Sequence, residues 1–160
     1  MTNKQIRTIT TTNMNVSRGY FGIGIINGKN EINLGTLWRS ANIFGASFIF
    51  TIGHRYPQRG QSTDTMKTDR HIPLYEYNSF EDFVIPRNCE LIAIELNKKS
   101  KSIINFNHPQ RAIYLLGAED TGIPKIILNN NRIIQLPGDY CLNVSVAGSI
   151  VMYDRISKIL

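Results

Sequence analysis

The chain has 160 residues, 42% of them hydrophobic and 19% charged, the balance of one ordinary globular domain able to bury a single core. This excludes a disordered or membranous protein: no apolar run reaches the length of a membrane span, and Met1-Thr2-Asn3-Lys4-Gln5 lacks the apolar core of a signal peptide, so the expected address is cytoplasmic. A net charge of +6 with a pI near 9.5 favours a polyanionic partner such as nucleic acid without proving one, and Cys89 and Cys141, with no secretion signal, read as reduced thiols.

Residues 1–18 are polar, rich in threonine and asparagine and without a sustained period, which predicts a flexible extension ahead of a single domain over 19–160. Residues 20–26 form an apolar run closed by the turn cluster Asn27-Gly28-Lys29-Asn30, the pattern of a buried strand. Leu34, Leu37, Trp38 and Ala41 then recur at spacings of three and four, a helix with one apolar face that Gly45 is placed to end. Gly35 and Arg39, four apart, share a different face. A strand returns at 47–53. Residues 54–70 are polar and mostly basic, long for a loop in a compact domain, and such loops are more often functional or mobile than neutral filler.

A weak strand is predicted at 72–77, a short helix around 79–83 and a strand at 91–96, trailed by the basic run Lys98-Lys99-Ser100-Lys101. Another buried strand covers 112–116, and a short helix is expected to start near 121–124. A β-like run at 132–136 feeds the turn Pro137-Gly138, and a last helix covers 143–159 with Asn143 or Ser145 available to cap it. On that helix Val144, Ala147 and Val151 form one stripe, while Ser145, Gly148, Ser149 and Met152 form a second of mostly small residues. Small residues at this spacing predict tight packing, with a second subunit as one candidate neighbour. Short buried strands alternating with helices make this an α/β protein with a mainly parallel sheet flanked by helices.

Two simple site patterns fail. Gly22-x-Gly24 invites the dinucleotide fingerprint, but its third glycine would fall on Asn27, and the glycines lie inside the apolar run instead of after it. Close strand packing is the better account. Cys89, Cys141, His54, His71 and His108 carry no local signature of a cysteine nucleophile and no spacing of metal ligands.

Three other stretches are distinctive together. They are Asn33-x-Gly35-x-x-x-Arg39-x-Ala41, Leu116-Gly117-x-Glu119-x-x-Gly122-Ile123-Pro124, and Ile134-x-Leu136-Pro137 with Leu142-Asn143-Val144-Ser145-Val146-Ala147. In this order they resemble the three successive motifs of the SpoU/TrmH-like RNA methyltransferases of the SPOUT superfamily, over about residues 20–158. The resemblance implies an α/β domain with a deep C-terminal trefoil knot, one of the exceptions to the rule against knots. It further implies a homodimer that uses S-adenosylmethionine to methylate a ribose 2′-hydroxyl, commonly in tRNA or rRNA. A catalytically inactive RNA-binding protein of the same fold is the alternative.

Carried onto this chain, the resemblance assigns catalysis to Arg39, Asn33, Glu119 and Asn143. Arg39 matches the arginine implicated in drawing the proton from the hydroxyl, yet a guanidinium is essentially always charged, so binding the adjacent phosphate and orienting the hydroxyl is the safer role. Asn33 reads either as a helix cap or as a group positioning the arginine or substrate. Glu119 reads either as a loop carboxylate or as a brace accepting backbone hydrogen bonds in the knot. Asn143 reads as a cap or an active-site contact. The cofactor is expected against Ile94, Glu95, Leu96, Leu116, Gly117, Ile134, Leu136, Cys141, Leu142 and Ser145, where Gly117 permits close approach of a ligand and Ser145 also reads as structural. Cys141 departs from the serine common at its position, and a thiol donates weaker hydrogen bonds. RNA contacts are expected from Arg39, Arg55, Arg59, Lys67 and Arg70, with the run 98–101 as a further phosphate-binding candidate or a solvated basic face.

Overall fold

Strand β1, Tyr20–Ile26, is the apolar run read from the sequence, and it lies near the middle of the sheet. Its two internal glycines serve packing: a Cβ on Gly22 would sit 2.4 Å from the Phe48 ring, and one on Gly24 would sit 2.3 Å from the Phe50 carbonyl. The computed structural model describes residues 19–57 and 71–159; the extension 1–18 and the expected RNA contacts Arg59, Lys67 and Arg70 lie outside the described residues.

Helix α1, Glu31–Phe44, is capped by Asn30, whose side chain accepts from the Ile32 N–H at 2.8 Å, and Gly45 ends it with φ of 75°. Strand β2, Phe48–Ile52, pairs parallel to β1, and β3, Leu74–Tyr77, pairs parallel to β2 at one edge. On the other side run β4, Glu90–Ile94, the two-residue β5, Lys101–Ser102, β6, Arg111–Gly117, and β7, Arg132–Gln135. The sheet order among the described residues is β3-β2-β1-β6-β4-β7-β5, with every strand pair parallel.

Helix α2, Lys125–Asn130, covers one face through Ile127 and Leu128, which join Phe50, Phe83, Leu91, Leu115 and Ile133. Helices α1 and α3, the latter Val144–Ile159, cover the other face around Phe21, Ile23, Leu37, Trp38, Tyr114 and Val151. The stripe of small residues on α3 packs inside this chain: a Cβ on Gly148 would meet Leu37 Cδ1 at 2.4 Å and Leu116 Cδ1 at 2.9 Å.

Two local expectations change, and a third holds. Residues 79–83 form a turn, closed by Phe83 N–H donating to the Phe80 carbonyl at 3.1 Å, and Phe83 stacks on Phe50 at 4.6 Å. The short helix expected to start near 121–124 is present, with Pro124 as its N-cap and Lys125 as its first residue. Strand β4 ends at Ile94, two residues early, where the chain turns into the wall of a cavity.

Candidate active site

In a parallel sheet all carboxyl ends point the same way, and ligands bind in the crevice beyond them. Here the segments after β4 (95–97), β6 (118–124) and β7 (136–142) enclose a cavity of about 520 Å³ with walls from α2 and the start of α3. That is within the range of small-molecule sites. Ile94, Leu96, Leu116, Leu136 and Leu142 supply apolar wall, and Glu95, Asn97, Thr121 and Lys125 supply polar groups.

The turn after β6 is folded tightly on itself. Ala118 and Gly122 form an antiparallel bridge, with the Gly122 N–H donating to the Ala118 carbonyl at 2.8 Å. Gly117 is needed for this turn: a Cβ there would lie 2.4 Å from the Gly122 carbonyl carbon and 2.6 Å from the Ile123 nitrogen. The close approach read for a ligand is therefore first a close approach of the chain's own backbone. Glu95 Oε2 accepts the Ile123 N–H at 2.9 Å, fixing the turn against the end of β4.

The three motifs meet through asparagine. Asn143 Oδ1 accepts the Ser145 N–H at 3.0 Å and so caps α3; a backbone N–H can only donate, which fixes the orientation of the amide. Its Nδ2 must then donate to Asn33 Oδ1 at 3.0 Å, leaving Asn33 Nδ2 to donate to Glu119 Oε1 at 2.5 Å. Asn33 is buried inside α1, three residues past the cap, so its reading as a cap gives way to Asn30. Glu119 accepts from a side chain here; the carboxylate that receives a backbone N–H from this turn is Glu95. Arg39 lies six residues beyond Asn33, about 9 Å along the helix axis. It is exposed and makes no hydrogen bond or ion pair among the described residues.

Of the expected cofactor contacts, Ile94, Glu95, Leu96, Leu116, Gly117, Leu136, Cys141 and Leu142 line the cavity, and Ile134 and Ser145 do not. The Ile134 side chain is buried in the core and its carbonyl accepts the Glu95 N–H at 3.0 Å. Ser145 turns its hydroxyl to Asn143 Oδ1 at 2.6 Å. Arg55 departs most from expectation. Its guanidinium forks onto Asp120, Nη1 to Oδ2 at 3.0 Å and Nη2 to Oδ1 at 2.6 Å, while Nε donates to the Asn27 carbonyl at 2.9 Å. Hydrogen bonds from Arg55 hold the Asp120 carboxyl down at about 2. The fork uses one hydrogen on each Nη, and the side chain remains 40% exposed.

Asp120, Thr121, Lys125, Asn97 and Tyr140 were not singled out in the sequence. Asn97, Thr121, Lys125 and Tyr140 line the cavity, and Asp120 sits beside it between Glu119 and Thr121; only the turns bring them there. The basic run 98–101 is ordered by Lys99 N–H donating to Asn97 Oδ1 at 2.9 Å; Lys99 and Lys101 line a smaller cleft of about 190 Å³ with Asn129, Asn131 and Arg132.

No curated protein sequence is similar enough to match the chain. Several solved structures share its fold. One, solved for insight into the 2-OH methylation of C/U34 on tRNA, has a TM-score of 0.74 at 19% identity, over 88% of this chain and 97% of that one. The SpoU methyltransferase AviRb of Streptomyces viridochromogenes, in complex with AdoMet, has a TM-score of 0.77 at 15% identity, over 88% of this chain and 60% of that one. The TrmH/SpoU tRNA modifying enzyme of A. aeolicus has a TM-score of 0.72 at 18% identity, over 89% and 78%. At these identities the likeness is one of fold. Residues 22–153 match the SpoU rRNA methylase family, and with most of its length inside that match the chain belongs to this family.

Proposed function

We propose that the protein is an S-adenosylmethionine-dependent RNA methyltransferase that acts on a ribose 2′-hydroxyl of cytoplasmic tRNA or rRNA. The observation that carries this reading is Asn33: one buried amide bonded to both Glu119 and Asn143, so that all three motifs close beside a single cavity. The cavity suits the cofactor by size and by its mixture of apolar wall and polar groups. Ile94, Leu96, Leu116, Leu136 and Leu142 would hold its apolar parts, with backbone groups of the turns around Gly117 and Cys141 reading its polar edge. When bound, the cofactor supplies a methyl group on a sulfonium.

The chain's own groups supply position. Arg39, charged and without a described partner, would bind the phosphate next to the target ribose and orient the hydroxyl. Asn33, Glu119 and Asn143 hold the start of α1, the turn after β6 and the start of α3 in one geometry. Lys99 and Lys101 are available to more distant phosphates.

Two further parts of the reading follow from family membership: the C-terminal trefoil knot and a homodimer. The dimer is supported by Val146, Ile150 and Tyr153, exposed at successive turns of α3, with Phe44 of α1 packed on Tyr153 at 6.3 Å. Among the described residues no helix is long and apolar enough to cross a membrane.

Isothermal titration with S-adenosylmethionine and its demethylated product tests the cofactor, and absence of binding would sink the enzyme reading. Incubation with labelled cofactor and total RNA, followed by digestion and mass spectrometry, tests the substrate. The expected product is a 2′-O-methylated nucleotide; label on a base instead would overturn the ribose assignment.

A further inference from the structure

Asn33 and Glu119 join α1 to the turn after β6, but a second fastening joins the same two parts of the chain. Asp120, next to Glu119, receives both Nη atoms of Arg55, at 3.0 and 2.6 Å. The Nε of the same guanidinium donates to the carbonyl of Asn27 at 2.9 Å, and the Arg55 backbone N–H donates to the Gly28 carbonyl at 2.8 Å. Asn27 and Gly28 open the segment that leads through the cap Asn30 into α1 and Asn33. Asn27 has φ of 55° and its N–H is bonded to the Ile52 carbonyl at 2.7 Å, so the carbonyl that Arg55 reads is set by the ends of β1 and β2.

The contacts therefore close a ring: Arg55 to Asp120, along the chain to Glu119, across to Asn33, back through the start of α1 to Asn27, and again to Arg55. One side of the ring is cavity wall, since Glu119 and Thr121 flank Asp120 and both line it. A lone exposed ion pair contributes little. A bidentate fork whose third donor is also used is different, because its planar geometry admits one arrangement of the groups it bridges.

We infer that Arg55 and Asp120 are a positioning pair that sets the mouth of the cofactor cavity by holding the turn after β6 at a fixed distance from the start of α1. The pair touches neither cofactor nor reacting atoms and acts through Glu119 and Asn33. Arg55 thereby moves from the RNA-contacting surface to the scaffold of the cavity. This inference rests on the cavity being the cofactor site.

The test combines titration calorimetry, steady-state kinetics and amide exchange on the full chain. Asp120→Asn and Arg55→Gln should each weaken S-adenosylmethionine binding about three- to tenfold, the range expected of coupled neighbours. The double variant should bind no more weakly than either single one. Asp120→Glu, which keeps a carboxylate for the fork, should stay within about twofold of the parent. The KM for RNA should be unchanged, and amide exchange should rise at 28–34 and 117–123 in the two damaging variants. Unchanged cofactor affinity with unchanged exchange would overturn the inference, as would a raised KM for RNA alone, which would return Arg55 to the RNA surface. If the parent binds no S-adenosylmethionine while exchange still rises in the variants, the functional reading falls and the positioning pair stands.

Discussion

Helix α3 is tied down by polar side chains at both ends, and the two sets of contacts differ in burial. At its start, Asn143, Asn33 and Glu119 form a short chain whose outer members reach solvent beside the cavity, with Arg39, which has no partner among the described residues, on the neighbouring helix. At its other end, Arg155 is wholly buried and donates to the carbonyls of Pro109 at 2.7 Å and Gln110 at 3.0 Å and to Tyr114 Oη at 3.1 Å, with its Cζ 4.8 Å from the centroid of the Phe21 ring. His108 bridges Tyr114 Oη at 2.5 Å and Asp154 Oδ2 at 2.8 Å. Burial pushes the Tyr114 hydroxyl up to about 12, so it stays protonated and able to bond. The buried network draws these partners from the fold itself and holds the segment 106–111 onto the helix. The open network keeps groups in line with room for a ligand. The contrast separates what folds the chain from what is available to chemistry.

The sharpest way to break this contrast is at Arg39. Arg39→Ala should lower methyl transfer by at least about 100-fold, as loss of a group orienting the reacting hydroxyl does, while cofactor affinity stays within a few-fold. Parent-level activity in the variant would remove Arg39 from the chemistry. At the opposite end, Arg155→Met should cost about 3 kcal/mol in urea unfolding, because two part-buried carbonyls and a buried hydroxyl lose their donor. A loss below about 1 kcal/mol would mean that the buried network is not what fastens α3. Asn143→Asp probes the boundary between the two. It keeps the cap on α3 but replaces the Nδ2 donor with an oxygen facing Asn33 Oδ1, so turnover should fall about tenfold while stability changes by about 1 kcal/mol. Equal turnover would show that the bridge to Asn33 is dispensable.

The smallest effect is in pH. Burial lowers the pKa of His108 despite the opposing pull of Asp154, and Arg155 and Lys158 lower it further. The unfolded chain, with an ordinary histidine near 6.5, then takes up this proton at higher pH than the folded one. Stability is therefore complete above about 6.5 and declines as pH falls from there toward the folded pKa. The melting temperature should drop between about pH 7 and 5, and His108→Gln should flatten that slope. A parent curve flat over this window would contradict the assignment.

Much of this was legible in the residues. Apolar runs closed by Asn, Gly and Pro marked the longer strands, and spacings of three and four marked α1 and α3, because burial on one face imposes those periods. The three motifs named the asparagines and the glutamate that now bond to one another. Segments of two to five residues were harder: β5 is too short to show a period, and the helix expected around 79–83 is a turn. Charge alone did not reveal the partner of Arg55, since a basic residue in a basic loop looks the same whether or not it also meets Asp120.

Local order, then, was written in periodicity and turn chemistry, which depend on neighbours a few residues apart. Which polar group meets which was decided in three dimensions. The Glu95 bond to the Ile123 N–H spans 28 residues, the Arg55 fork onto Asp120 spans 65, and the Asn143 bond to Asn33 spans 110. Such partners become neighbours only once the parallel sheet has gathered its carboxyl ends on one side, since pairing at that range is set by strand order and not by any local pattern of side chains.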